Sequence, residues 1–125
     1  MNDINSKALI NLNILVIGKY NSGVSSICNR YVRNKFNYYN GEYLWDEKFK
    51  DIETNEYKIK LRINELDYRE RSMFLYDRII KNIVGIIFVF DLTDENTFKS
   101  LGEMIEKTKE NNNSYESVIC EINLI

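Results

Sequence analysis

The sequence predicts an α/β protein in which a mainly parallel sheet is flanked by helices. Three observations carry that expectation. Short apolar runs alternate with stretches of helical periodicity, the run at 85–90 is apolar throughout like a strand covered on both faces, and a glycine-bearing turn joins the first run to the first helical stretch. The 125 residues, 44% of them apolar, amount to one domain and are expected to fold as a single unit over 1–125.

Each element follows from its pattern. Residues 12–17 form the first strand and end in Gly18, and 25–35 read as a helix with Ile27, Tyr31 and Val32 on its inward side. Residues 37–45 are irregular and aromatic. Further on, Tyr57, Ile59, Leu61 and Ile63 alternate with Lys58, Lys60 and Arg62, the period of a half-buried strand, and 49–54 is placed to pair with it antiparallel around Asn55-Glu56. Helical spacing returns over 73–82 through Phe74, Leu75 and Ile79, and 85–90 follows as the buried strand. An amphipathic helix over 97–110 directs Phe98, Leu101 and Ile105 inward, with Thr93 or Asp94 capping its start. After the polar break Asn111-Asn112-Asn113-Ser114, residues 118–122 read as a last strand.

Composition removes several classes of function. A net charge of −2 from 17 basic and 19 acidic residues offers no excess to neutralise a nucleic-acid backbone. Histidine is absent and Cys28 and Cys120 are the two cysteines, which excludes imidazole acid–base chemistry and the common zinc ligand sets. No signal segment or membrane-length apolar run is present, so a cytoplasmic location is expected. Cys120 lies too far from the end for a C-a-a-X box and Asn2 cannot be myristoylated, so no membrane anchor is expected.

The most telling stretch is 14–26, ILVIGKYNSGVSS. Gly18, Gly23 and Ser25 have the spacing of the phosphate loop GxxxxGK[ST], but Val24 stands where that loop carries the lysine that reaches the β- and γ-phosphates. Two readings of the glycines are open: a phosphate-cradling loop, or plain turn residues between a strand and a helix. Lys19 is likewise open between a substitute cation reaching in from the other side of the loop and a solvated surface lysine.

Residues 86–98, IIFVFDLTDENTF, resemble the apolar strand, Asp-x-Thr turn and helix start of the Ras-like small GTPases, and within them the Rab branch. Glu70-Arg71 is similar to the end of that family's Gln-Glu-Arg motif, and its distance to Gly85 matches the Rab pattern. The resemblance covers 12–123. It implies a GTP/GDP-binding switch in vesicle trafficking that uses Mg²⁺, with effector or regulatory proteins as partners. It also implies nucleotide contacts from Gly18, Lys19, Ser22, Gly23, Ser25, Ser26 and Asn123, with Ser25 as the metal ligand.

Where the family reads Trp-Asp-Thr-Ala-Gly-Gln-Glu-Arg, this chain reads Asn64-Glu65-Leu66-Asp67-Tyr68-Arg69-Glu70-Arg71. By that correspondence the magnesium-shell Asp is Glu65, the γ-phosphate glycine is Tyr68 and the water-orienting Gln is Arg69. Glu42 takes the place of the first switch's metal-binding Thr, and Leu124 that of the base-reading Lys. No catalytic residue is assigned, and hydrolysis is not expected. The aromatic cluster Phe36, Tyr38, Tyr39, Tyr43 and Trp45 falls in the effector-facing segment, where interface and core packing explain it equally. The positions of the family's effector-contacting aromatics carry Glu47, Asn64 and Ile79.

The resemblance further implies a domain lacking the family's C-terminal strand and helices, with an uncovered sheet edge open to self-association. Three functional expectations result: a nucleotide switch of vesicle traffic deficient in hydrolysis, a pseudo-GTPase interaction module that binds no nucleotide, and a nonfunctional truncated fragment.

Overall fold

The computed structural model describes residues 6–19, 22–33, 45–68, 73–111 and 116–122. Along the chain these form β1 (Ala8–Lys19), α1 (Val24–Arg33), β2 (Trp45–Glu53), β3 (Tyr57–Tyr68), α2 (Met73–Ile79), β4 (Gly85–Asp91), α3 (Glu95–Asn111) and β5 (Glu116–Ile122). A 3-10 turn, Ile80–Asn82, prolongs α2.

The strands make one sheet in the order β2-β3-β1-β4-β5. β1 is parallel to both β3 and β4, and β4 is parallel to β5. β2 alone runs antiparallel, folded back on β3 through a tight turn in which Thr54 N–H donates to the Tyr57 carbonyl at 2.9 Å. Parallel neighbours need a crossover between them, and the three helices lie in those crossovers. The mainly parallel α/β sheet expected from the alternation is therefore present.

β1 and β3 are longer than their apolar runs suggested. Pairing starts at Ala8↔Tyr57 and continues to Lys19↔Tyr68. The early part of β1 alternates Ile10, Leu12 and Ile14 with Asn11 and Asn13, a half-exposed strand pattern that a search for continuous apolar residues misses.

Side-chain alternation divides the core into two layers. Leu15 and Ile17 of β1, Leu66 of β3 and Ile86, Phe88 and Phe90 of β4 face α2 and α3, where they meet Tyr76, Leu101 and Met104. Val16, Leu61, Ile63 and Val89 face the opposite way and pack with Val24 and Cys28 of α1. The sheet is thus covered on both faces.

Two inward assignments from the sequence are corrected. Tyr31 is 47% exposed, and its ring lies under the Lys50 ammonium at 5.2 Å. The helix starts one residue earlier than expected, its buried residues are Val24, Ser26, Cys28 and Asn29, and its packed face is centred on Val24 and Cys28, which leaves Tyr31 at the rim. Phe98 is 57% exposed and touches only the rim of the core, edge-on to Phe90 at 5.2 Å. The buried stripe of α3 is Thr97, Leu101, Met104 and Thr108, which keeps helical spacing but includes two threonines invisible to an apolar count.

Those threonines are satisfied internally. Thr108 Oγ1 bonds the Met104 carbonyl at 2.7 Å and the Tyr76 hydroxyl. Thr97 Oγ1 accepts from Asp91 N–H at 2.8 Å and lies 2.8 Å from the Asp94 carbonyl, to which it donates. Asp91 Oδ1 in turn accepts from both the N–H and the hydroxyl of Thr93. Asp94 caps α3 by accepting from Asn96 N–H at 3.0 Å, so of the two candidate caps Asp94 is the one used. No helix among the described residues is long and apolar enough to cross a membrane.

Candidate functional site

Ligands of open parallel sheets gather beyond the carboxyl ends of the strands, and here that edge holds the turn between β1 and α1. Both glycines of the turn have local reasons to be glycine. Gly23 has φ 101°, a conformation side chains resist. A β-carbon on Gly18 would collide with Ser22 Oγ and come within 2.6 Å of the Val89 carbonyl. Ser22 N–H donates to the Lys19 carbonyl at 2.9 Å, and Ile27 N–H donates to the Gly23 carbonyl at 3.1 Å to open α1.

Val24 is the decisive residue of the turn. It is 5% exposed and packs among Val16, Cys28, Leu61, Ile63 and Val89. The position that carries an ammonium in GxxxxGK[ST] is here part of the α1 core layer. Lys19 is exposed at the end of β1. Ser22 is fully buried and its Oγ has no hydrogen-bond partner among the described residues. Ser26 is buried as well.

Ser25 points at β3. Its Oγ donates to Glu65 Oε2 at 3.2 Å, and Glu65 Oε1 takes the Lys48 ammonium at 2.5 Å. Lys48 also reaches Asp46 Oδ2 at 3.0 Å. The register explains the cluster: Asp46 lies opposite Glu65 and Lys48 opposite Ile63, which puts all three side chains on the α1 face. The side chains of Lys48 and Glu65 are 6% and 4% exposed, while that of Asp46 is 51% exposed and closes the cluster on the solvent side. Burial works to lower the Lys48 pKa, but the hydrogen bond and charge of Glu65, then those of Asp46, outweigh it and hold the ammonium above its ordinary value. Cys28 lies beside the cluster, and burial followed by the Glu65 charge and hydrogen bond raises its pKa, keeping it a thiol.

Tyr68 replaces the second-switch glycine of the resemblance and turns away from the loop. Its hydroxyl donates to Glu103 Oε1 of α3 at 3.0 Å, and its ring meets Tyr76 edge-on at 6.5 Å. Burial first, then the Glu103 bond, push its pKa upward. The end of β3 is thereby fastened to α3.

A magnesium ion does not fit between Ser25 and Glu65 as they stand. Their oxygens bond directly, and the second Glu65 oxygen is occupied by an ammonium. Two unit charges 4 Å apart repel by about 4 kcal/mol at a protein-surface dielectric, so a divalent ion beside Lys48 meets about twice that. Among the described residues no three His, Cys, Asp or Glu side chains gather as a metal set.

Glu47, Asn64 and Ile79 lie on β2, β3 and α2. Glu47 makes a two-point pair with Arg62, 2.8 Å at each contact. Asn64 is buried and donates to the Ile14 carbonyl at 3.1 Å. Asn64 and Ile79 share a cleft of about 250 Å³ with Arg62, Arg78, Asn13 and Asn82. Glu42, Arg69, Glu70, Arg71, Asn123, Leu124 and the aromatics Phe36, Tyr38, Tyr39 and Tyr43 lie outside the described residues, as does the side chain of Trp45.

Sequence reasoning missed Lys48, because it started the second strand at residue 49. A signal existed. Continuing the alternation of Leu61 and Ile63 puts Glu65 on the buried face, and a buried carboxylate requires a cationic partner from the adjoining strand.

The strand order and the turn between β1 and α1 define a phosphate-loop type of α/β domain. Comparison with known sequences makes this specific: the Ras family profile matches residues 13–123. Ras-related protein SEC4 of Saccharomyces cerevisiae is 31% identical over 106 residues, 82% of this chain and 48% of its own length. Ras-related protein Rab-13 of Canis lupus familiaris is 28% identical over 99 residues, 78% of this chain and 49% of its own. Ras-related protein RabN1 of Dictyostelium discoideum is 29% identical over 99 residues, 79% of this chain and 46% of its own. The chain belongs to the Ras family and is Rab-like within it. It spans about half the length of these relatives.

Proposed function

We propose that this chain is a Rab-like small-GTPase-family protein of cytoplasmic vesicle traffic, built on a GTP/GDP switch and deficient in GTP hydrolysis. The family and the Rab-like relatives support the traffic role, with effector or regulatory proteins as partners. The observation that carries the deficiency is Val24, buried where the catalytic loop needs an ammonium. Tyr68 and Arg69 at the two γ-phosphate positions support it further.

Any nucleotide would be held by Gly18, Lys19, Ser22, Gly23, Ser25 and Ser26, with Asn123 toward the base. A lost charged hydrogen bond costs about 1.5–3 kcal/mol, which is roughly 10- to 150-fold in affinity. Binding is therefore expected to be weak. The Lys48–Glu65–Ser25 cluster favours a second reading, a pseudo-GTPase interaction module with no nucleotide at all.

Thermal unfolding separates the two. Ligand that binds only the folded chain stabilises it by RT ln(1 + L/Kd), where L is the free ligand concentration, and so raises its melting temperature. With millimolar GDP or GTP a small rise is expected from the weak site. A cooperative melt that does not move would replace the switch with the interaction module.

A further inference from the structure

The one buried lysine among the described residues stands at the pair of positions which, in the family correspondence, hold a divalent cation. Its ammonium is 2.5 Å from Glu65 Oε1 and 3.0 Å from Asp46 Oδ2, and the other Glu65 oxygen carries the Ser25 hydroxyl. A buried carboxylate, flanked by a hydroxyl and by a second carboxylate at the solvent edge, needs a cation, and the chain supplies one from β2.

We propose that the Lys48 ammonium takes the place of the divalent cation at this site, as a permanent counter-ion of Glu65 that ties β2 to the start of α1 through Ser25. This rests on the reading of the chain as built on a magnesium-dependent switch, because that descent is what makes Ser25 and Glu65 a metal pair. A metal ion arrives and leaves with its nucleotide; an ammonium rooted in β2 stays. The contact between the β2 strand and the loop helix is then independent of metal, and the site rejects divalent ions.

Paramagnetic broadening by Mn²⁺ alone, without nucleotide, tests this in the ¹⁵N-labelled chain. The native chain is expected to keep its Ser25 and Glu65 amide signals through millimolar Mn²⁺. Lys48→Ala is expected to lose both, since the oxygens of Asp46, Glu65 and Ser25 then surround a space with no cation in it. Lys48→Gln, which keeps a neutral donor for Glu65, repeats the test if the alanine variant does not fold. Selective loss of the Ser25 and Glu65 signals in the native chain would overturn the proposal, and so would a folded Lys48 variant that ignores Mn²⁺. If neither variant folds, the native titration decides by the same criterion. Because nucleotide is absent, a chain that fails to respond to GTP or GDP leaves this result untouched, and Mn²⁺ binding by the native chain leaves the traffic reading untouched.

Discussion

Lys48→Ala is expected to lower stability by about 3–5 kcal/mol, the cost of leaving one member of a buried ion pair without the other. For a chain of this size that corresponds to a fall of roughly 10–20 °C in melting temperature. The effect is large because Glu65 is 4% exposed and its other bonds, from the Ser25 hydroxyl and the Cys28 thiol, come from neutral donors. Replacing both partners together, Lys48→Met with Glu65→Leu, removes the charges instead of stranding one, and is expected to recover most or all of the loss. The measurement is a denaturant or thermal melt of the three proteins. Lys48 has a raised pKa in the folded chain, so its contribution is complete below the unfolded lysine value near pH ~10.4 and declines only as pH rises through the folded one. A Lys48→Ala chain that melts with the native protein would show that the buried contact carries no stability.

Val24→Lys, which restores the residue type of an active phosphate loop, is expected to destabilise the chain and not to restore nucleotide binding. Val24 contributes a side chain to the layer formed by Val16, Leu61, Ile63 and Val89. Its removal from that layer forfeits about 1.5–3 kcal/mol of apolar burial. The new ammonium must then be desolvated or snorkel out of the layer to reach water. A fall on the order of 10 °C in melting temperature is expected, with no recovery on adding Mg²⁺ and GTP. A variant that melts like the native chain and gains a magnesium-dependent nucleotide response would mean that the loop opens freely and that valine is the sole obstacle.

Much of the fold was legible because its signals are periodic. The alternation from Tyr57 to Ile63 gave β3 and its face, and the antiparallel partner of that strand was visible in the residues before Asn55-Glu56. The apolar run before Asp91 gave β4, and the Asp91-x-Thr93 turn is closed by the side-chain bonds those residue types make. Elements stabilised by polar groups were harder to read. Thr97 and Thr108 occupy core positions because neighbouring carbonyls and a tyrosine satisfy them, so an apolar stripe drawn through Phe98 was rotated by one residue. At the site, Gly18 and Gly23 were identified by spacing, and the structure gives each a steric or conformational reason. The valine between Gly23 and Ser25 was read only as a missing lysine. Its apolar side chain is drawn inward, which makes position 24 a packed part of the core and not merely a missing contact. Lys48 escaped notice because its partner is seventeen residues away, a relation set by strand register and not by local pattern.

The most direct measurement is phosphate release from GTP in a single-turnover assay with excess purified chain and Mg²⁺, beside the same mixture in EDTA. Release is expected to match the protein-free blank in both, because the lysine position is buried apolar surface and Glu65, at the position of the family's magnesium-shell carboxylate, is held by Lys48. Magnesium-dependent release of one phosphate per bound GTP would contradict the proposed deficiency and would mean that the loop, Glu65 and Lys48 rearrange into a working site.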